Sequence, residues 1–127
     1  MLNPDLVGRT FTSADSVTVT KEAIQKFAKV IGETNFDLAP PTFAISITLE
    51  KSQSLLQESG LDWTRVVHGE QKFEIKRAIA AGDILQCSST IESARNVAGN
   101  EIVTVRSDLN SGSELVVSTW STLVVRA

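Results

Sequence analysis

The chain has 127 residues, a net charge of −3, 42% hydrophobic and 21% charged residues. That is ordinary for a soluble globular chain of one domain, large enough for a real core. It excludes the footprint of a nucleic-acid binder, since the lysines and arginines are scattered and little aromatic content interleaves with them.

One cysteine, Cys87, and one histidine, His68, exclude an internal disulfide and any metal centre built on several such ligands. The first residues carry no charged-then-apolar leader, and no apolar run approaches the roughly 20 residues that span a bilayer. The expectation is a cytoplasmic chain, with no membrane partner and no cofactor.

Residues 1–20 open with a polar arm, and S-V-T-V-T at 16–20 alternates as a short strand. Thr20 is placed to cap a helix, with Glu22 in the first turn where the helix dipole favours negative charge. Ile24, Phe27, Ala28 and Ile31 then recur at helical spacing, and Gly32 is a good stop.

The segment after Pro40 and Pro41 supports two readings. Phe43, Ile45, Ile47 and Leu49 alternate with Ala44, Ser46, Thr48 and Glu50, which is a strand pattern. Yet the run continues as a helical K-S-Q-S-L-L-Q-E-S-G to Gly60. A helix starting at Pro41 or Thr42 would place Ile45, Leu49 and Leu56 on one stripe.

Four strands are expected next. Val66–Ile79 carries Val67, Gln71, Phe73 and Ile75 on one face; Ala81-Gly82-Asp83 turns; Ile84–Ala94 follows. Val97–Asn100 is a hairpin connection, and Glu101–Leu109 and Glu114–Arg126 are joined by N-S-G-S. The last strand is apolar on both faces, which predicts an interior or doubly covered position. Helices first and an antiparallel meander after make an α+β fold.

The stretch Ile31–Phe43 holds the densest set of polar groups between marked boundaries: Glu33, Asn35 and Asp37 between the helix stop and the two prolines. Together with A-P-P-T-F, V-V-H-G-E-Q-K-F-E and A-A-G-D-I-L, this stretch resembles the MaoC-like hot-dog domains. It is most similar to the N-terminal-type domain of MaoC-like dehydratases and to small actinobacterial (R)-3-hydroxyacyl dehydratase subunits. The resemblance covers nearly the whole chain. It implies a hot-dog fold over residues 1–127, a long helix wrapped by a curved antiparallel sheet, and so decides for helix over Pro41–Leu56. It also implies an acyl-CoA or acyl-carrier-protein thioester as ligand.

Active members of that family carry G-D-x-N-P-(aliphatic)-H before the central helix, the aspartate and histidine acting as an acid/base pair on the thioester. Here the motif reads Gly32-Glu33-Thr34-Asn35-Phe36-Asp37-Leu38. Glycine and asparagine match, aspartate is replaced by glutamate, and the histidine position holds Leu38, which transfers no proton. The segment that in the family separates this histidine from the helix is also absent.

Each candidate has two readings. Glu33 is a displaced acid/base or a solvated carboxylate past a helix end. Asn35 orients a thioester or makes the turn. Asp37 stands in for the lost histidine or is solvated. His68 is catalytic or a strand histidine, with Gly69 marking a bulge or a close backbone approach. The main-chain amides of Thr42 and Phe43, at the start of the central helix, are candidates for polarising a thioester carbonyl.

The resemblance implies a subunit of an (R)-specific 3-hydroxyacyl dehydratase or enoyl hydratase system in fatty acyl metabolism. It would be weak or inactive alone and would shape the acyl pocket of a catalytic hot-dog partner, or form a homodimer. The alternatives are a non-catalytic acyl-thioester binding module and a hot-dog thioesterase using Glu33 or Asp37.

Overall fold

The computed structural model describes residues 2–127. The amino-terminal arm is more structured than its polarity suggests. Leu2 is buried, and its main-chain N–H donates to the carboxylate of Glu101 at 3.0 and 3.3 Å. A 3-10 turn at Pro4–Leu6 is followed by β1 (Thr10–Thr12) and β2 (Val17–Thr18).

Helix α1 spans Lys21–Val30, and Thr20 Oγ1 accepts the Ala23 N–H at 3.1 Å. Ile24 and Ala28 are fully buried. The helix closes in a Schellman turn. Gly32, at φ +80°, donates to Lys29 O at 3.3 Å, and Glu33 donates to Ala28 O at 2.8 Å.

A second 3-10 turn, Pro41–Ala44, leads into α2, Ile45–Glu58. The segment is helical, as the family resemblance implies and against its strand-like alternation. Its buried face is Ile47, Thr48, Ser52 and Leu56, rather than the stripe of Ile45, Leu49 and Leu56.

A third 3-10 turn at Trp63–Arg65 precedes β3 (Val66–Ile75), β4 (Ile84–Val97), β5 (Asn100–Ser111) and β6 (Glu114–Val125). With β1 and β2 they make a six-stranded antiparallel sheet in the order β1-β4-β5-β6-β3, with β2 also pairing to β4. β6 lies inside the sheet, which explains why both its faces are apolar. The sheet curves around α2, which packs on β4, β5 and β6. This is the hot-dog arrangement.

Two details differ from the sequence reading. β3 ends at Ile75, not Ile79, and it carries a register shift between His68 and Glu70. Because side chains alternate with period two, one extra residue reverses the facing of everything beyond it. Val67 therefore sits opposite Val124, while Gln71, Phe73 and Ile75 sit opposite the inward Ser121, Thr119 and Val117. The bulge is at Gly69, where a side chain would come within 3.3 Å of Thr122 O. The β4–β5 hairpin also turns one residue early. Ala98 (φ 52°) and Gly99 (φ 83°) take the left-handed positions, and Asn100 already belongs to β5.

The core has two apolar clusters, one around Phe43, Ile47, Leu85 and Leu109, the other around Leu56, Ile91, Val103 and Leu123. Between them runs a belt of small hydroxyls. Ser89, Ser107 and Thr119 are register partners across β4, β5 and β6, and Ser89 and Ser107 share a hydrogen bond of 2.9 Å. Thr48 and Ser52 fall between Ile47 and Leu56 on the buried face of α2. Small side chains on both surfaces allow helix and sheet to approach closely.

Candidate functional site

The loop from Ile31 to Pro40 is tied down at both ends. The Schellman turn fixes its start. At its end Leu38 forms an isolated antiparallel bridge with Ala80, and the Ala39 N–H donates to Ile79 O at 2.7 Å. Only Ala39 and Pro40 separate Leu38 from the turn that starts the central helix segment.

Within this frame Glu33, Asn35 and Asp37 are all exposed. Asn35 Oδ1 accepts the Asp37 N–H at 3.0 Å, an Asx turn, so this amide shapes the loop. Neither the Glu33 nor the Asp37 carboxylate has a hydrogen-bond or ionic partner among the described residues. His68 is exposed on β3, opposite Leu123 and beside the bulge, and is hydrogen-bonded to none of the three. Among the described residues no carboxylate–imidazole pair is assembled by hydrogen bonds.

The start of the central helix is built differently. Phe43 is buried, its ring edge-on to Phe27 at 5.5 Å, and its N–H already donates to Pro40 O at 2.9 Å. The Thr42 N–H has no backbone acceptor among the described residues, and Thr42 is exposed. No side chain caps this end, and no acidic residue lies in its first turn. Of the two expected amides, Thr42 is thus the one free to meet a carbonyl oxygen, in the favourable field of a helix start. Beside it lies a small pocket of about 60 Å³ between Pro40, Pro41, Ile75, Ala78 and Val117.

Three further polar or reactive side chains are engaged within the fold. Gln71 Oε1 accepts the Ser121 hydroxyl at 2.6 Å. Cys87 is buried, and burial pushes its thiol up, against the opposing effect of the Ser89 and Ser107 hydroxyls. A protonated thiol is a poor nucleophile. Trp120 lies on the outer face between Lys72 and Arg106, each 5.2 Å from its ring, and its Nε1–H donates to Glu92. Among the described residues there is no cluster of three or more metal-ligating side chains, and no helix is long and apolar enough to cross a membrane.

Sequence reasoning passed over the apolar surface around this site. Leu38 and Ile75 are 46% and 41% exposed. Leu38 lies three residues before Pro41, bridged to Ala80; Ile75 ends β3, one of the two edge strands of the sheet, and lines the pocket beside Pro40 and Pro41. The signal was a leucine where a proton-transfer group was expected, and an isoleucine at the end of an edge strand.

Residues 36–118 match the family described as FAS1-like, dehydratase domain region. A UPF0336 protein of Streptomyces coelicolor is 37% identical, with 99% of this chain and 96% of that one covered. That alignment has 144 positions against 127 residues here, so at least 17 positions are filled only in the relative. One chain of the C-terminally truncated HadBC complex of Mycobacterium tuberculosis, a 3R-hydroxyacyl-ACP dehydratase, is 25% identical. It superposes with a TM-score of 0.80, covering 97% of this chain and 99% of that one. HtdX of M. tuberculosis, 18% identical with a TM-score of 0.83, shares the fold over 93% of this chain and 51% of its own.

Proposed function

Since the chain belongs to the MaoC-like hot-dog dehydratase family, we propose that it is the accessory subunit of an (R)-specific 3-hydroxyacyl thioester dehydratase or enoyl hydratase. In this reading the whole chain is one hot-dog domain. It pairs with a catalytic hot-dog chain and supplies pocket walls and the Thr42 amide, but not the acid/base pair. The supporting observation is the loop before α2, where Leu38 occupies the proton-transfer position and Glu33, Asn35 and Asp37 are solvated.

General acid–base catalysis needs groups within hydrogen-bond reach of the reacting atoms and with tuned proton affinity. A solvated carboxylate and a leucine supply neither. The Thr42 N–H can still donate to a thioester oxygen, because that role depends on the backbone alone. The exposed β3 edge and the apolar Leu38–Ile75 surface favour a partner that extends the sheet and covers the loop.

The test is reconstitution. A hot-dog chain with the intact aspartate–histidine loop is titrated into this one while hydration of a trans-enoyl-CoA is followed optically. The reading expects activity to rise to a plateau at equimolar subunits. Activity of that partner that is unaffected by this chain, with no complex on gel filtration, contradicts it.

A further inference from the structure

The second half of α2 stands apart from the connection between β1 and β2. That connection, S-A-D-S at 13–16, is small and polar, and it is clasped to β4. The Ser13 N–H donates to Cys87 O at 2.9 Å, and Gln86 Nε2 donates to Ser13 O at 3.1 Å. Between the connection and α2 lies a cleft of about 440 Å³, whose lining includes Phe11, Ser13, Lys51, Leu55, Cys87 and Ser89. That size is within the range of small-molecule sites.

The floor of this cleft is buried yet polar. Cys87 and Ser89 are 2% and 4% exposed. Ser89 Oγ shares a hydrogen bond with Ser107 at 2.9 Å and lies 3.8 Å from the Cys87 thiol. A hydroxyl has one donor and two acceptor positions, so Ser89 keeps one position for a guest. Lys51 is half-buried in the wall, and its ammonium is in no ion pair among the described residues. Its charge reaches the floor, where it eases ionisation of the Cys87 thiol against the larger effect of burial. Glu58, exposed and also unpaired, lines the cleft two turns further along α2, about 10 Å away along the axis. The cleft thus has a cationic end, apolar walls at Phe11 and Leu55, and an anionic end.

We propose that this cleft binds a small monocarboxylate with a short hydrocarbon body. The carboxylate meets the Lys51 ammonium above Ser89, and the body lies against Phe11 and Leu55. An unpaired, half-buried ammonium selects an anion, since a hydrogen bond between two charged groups is roughly twice as strong as a neutral one. The apolar walls select an organic anion over inorganic phosphate. Glu58 selects against a second carboxylate at the far end. The site is separate from the Thr42 amide and does not rest on the accessory-subunit reading.

The test is titration of the isotope-labelled chain with hexanoate, hexanamide and adipate, followed by amide shifts in NMR spectra. Hexanoate should give saturable shifts at Ser13, Ser54, Cys87 and Ser89. Hexanamide, which lacks the charge, should bind about tenfold less tightly, and adipate should bind less tightly than hexanoate. Lys51→Met should lose about tenfold in hexanoate affinity, and Lys51→Arg should restore it. Glu58→Gln should bring adipate toward hexanoate. Lys26→Met, on α1 and outside this cleft, serves as the control. Hexanamide binding as tightly as hexanoate to the parent chain overturns the proposal, whatever the variants do. So does an unchanged hexanoate affinity in Lys51→Met, a set of shifts confined to other parts of the chain, or the absence of saturable shifts. Inorganic phosphate displacing hexanoate at equal concentration also overturns it, because the apolar walls would then play no part.

Discussion

Glu33 donates its main-chain N–H to Ala28 O at 2.8 Å, completing the stop of α1, while the residue itself is exposed. The residue is the third beyond the end of α1, held there by the left-handed Gly32. Its carboxylate is carried into solvent while its backbone completes the helix stop. The residue that the resemblance sets against the family's catalytic aspartate thus serves a structural purpose through a main-chain N–H that every amino acid except proline possesses.

Glu33→Gln and His68→Ala should leave the turnover of the reconstituted enzyme within about twofold. Their stability should stay within about 0.5 kcal/mol of the parent, as for exposed substitutions without partners. Gly32→Ala places a side chain at φ +80° and should cost about 1 kcal/mol. Urea unfolding and steady-state kinetics on the three variants separate the backbone role from a catalytic one. A hundredfold loss of turnover in Glu33→Gln would assign the carboxylate to chemistry.

Leu38 and Ile75 are exposed in the isolated chain and flank the sheet edge proposed to pair. Leu38→Asp or Ile75→Lys should dissociate the assembly, because a charge buried at an interface without a partner is costly. Neither should unfold the chain, since both side chains are surface groups. Sedimentation velocity reads the first effect and thermal unfolding the second. Unchanged sedimentation in both variants would place the interface elsewhere.

Acid stability should depend on Asp83. Arg77 donates to its carboxylate at 2.8 and 3.1 Å, and the Ala80 N–H donates at 2.9 Å. The Arg77 hydrogen bonds, foremost, hold this carboxyl below the ordinary range, against the opposing effect of burial. The folded form therefore takes up its proton at lower pH than the unfolded form. The contribution is fully present above the unfolded value of about 3.9 and is lost as pH falls toward the folded one. Asp83→Asn should cost about 1–3 kcal/mol at neutral pH, and the gap from the parent should shrink below about pH 4. Urea midpoints from pH 7 to pH 3 check both. A gap that stays constant with pH would remove the ion pair from the account.

Thr48 Oγ1 is the one buried side-chain polar atom without a partner among the described residues. Thr48→Val keeps the β-branched shape and removes an unsatisfied hydroxyl, so it should stabilise by about 1 kcal/mol. A loss of stability in urea unfolding would show that the hydroxyl is hydrogen-bonded in solution.

Much of this architecture was legible where the signal was local. Thr20 and Gly32 mark the ends of α1, and Gly82 and Gly112 take left-handed turns between strands. The central helix was not legible from pattern alone. Phe43 and Ile47 are buried while Ile45 and Leu49 are half-covered, so apolar residues fall at alternate positions as on a strand. Its buried Thr48 and Ser52 also break the apolar stripe, and their burial comes from packing against strands far away in sequence. The facing of Val67 was misjudged because one residue at Gly69 reverses the alternation. At the site, the polar residues were visible in the sequence, but their exposure was not. The exposure of Leu38, bridged to Ala80, and of Ile75, at the end of β3, follows from tertiary pairing and was not visible either.

The most direct measurement is hydration of crotonyl-CoA and of a longer trans-enoyl-CoA by the purified chain alone, followed by loss of the conjugated thioester, with free thiol checked. The account predicts no turnover and no thiol release from the chain by itself. Turnover that disappears in Glu33→Gln would contradict it, since the departed loop would then still catalyse; release of thiol would point instead to thioester hydrolysis.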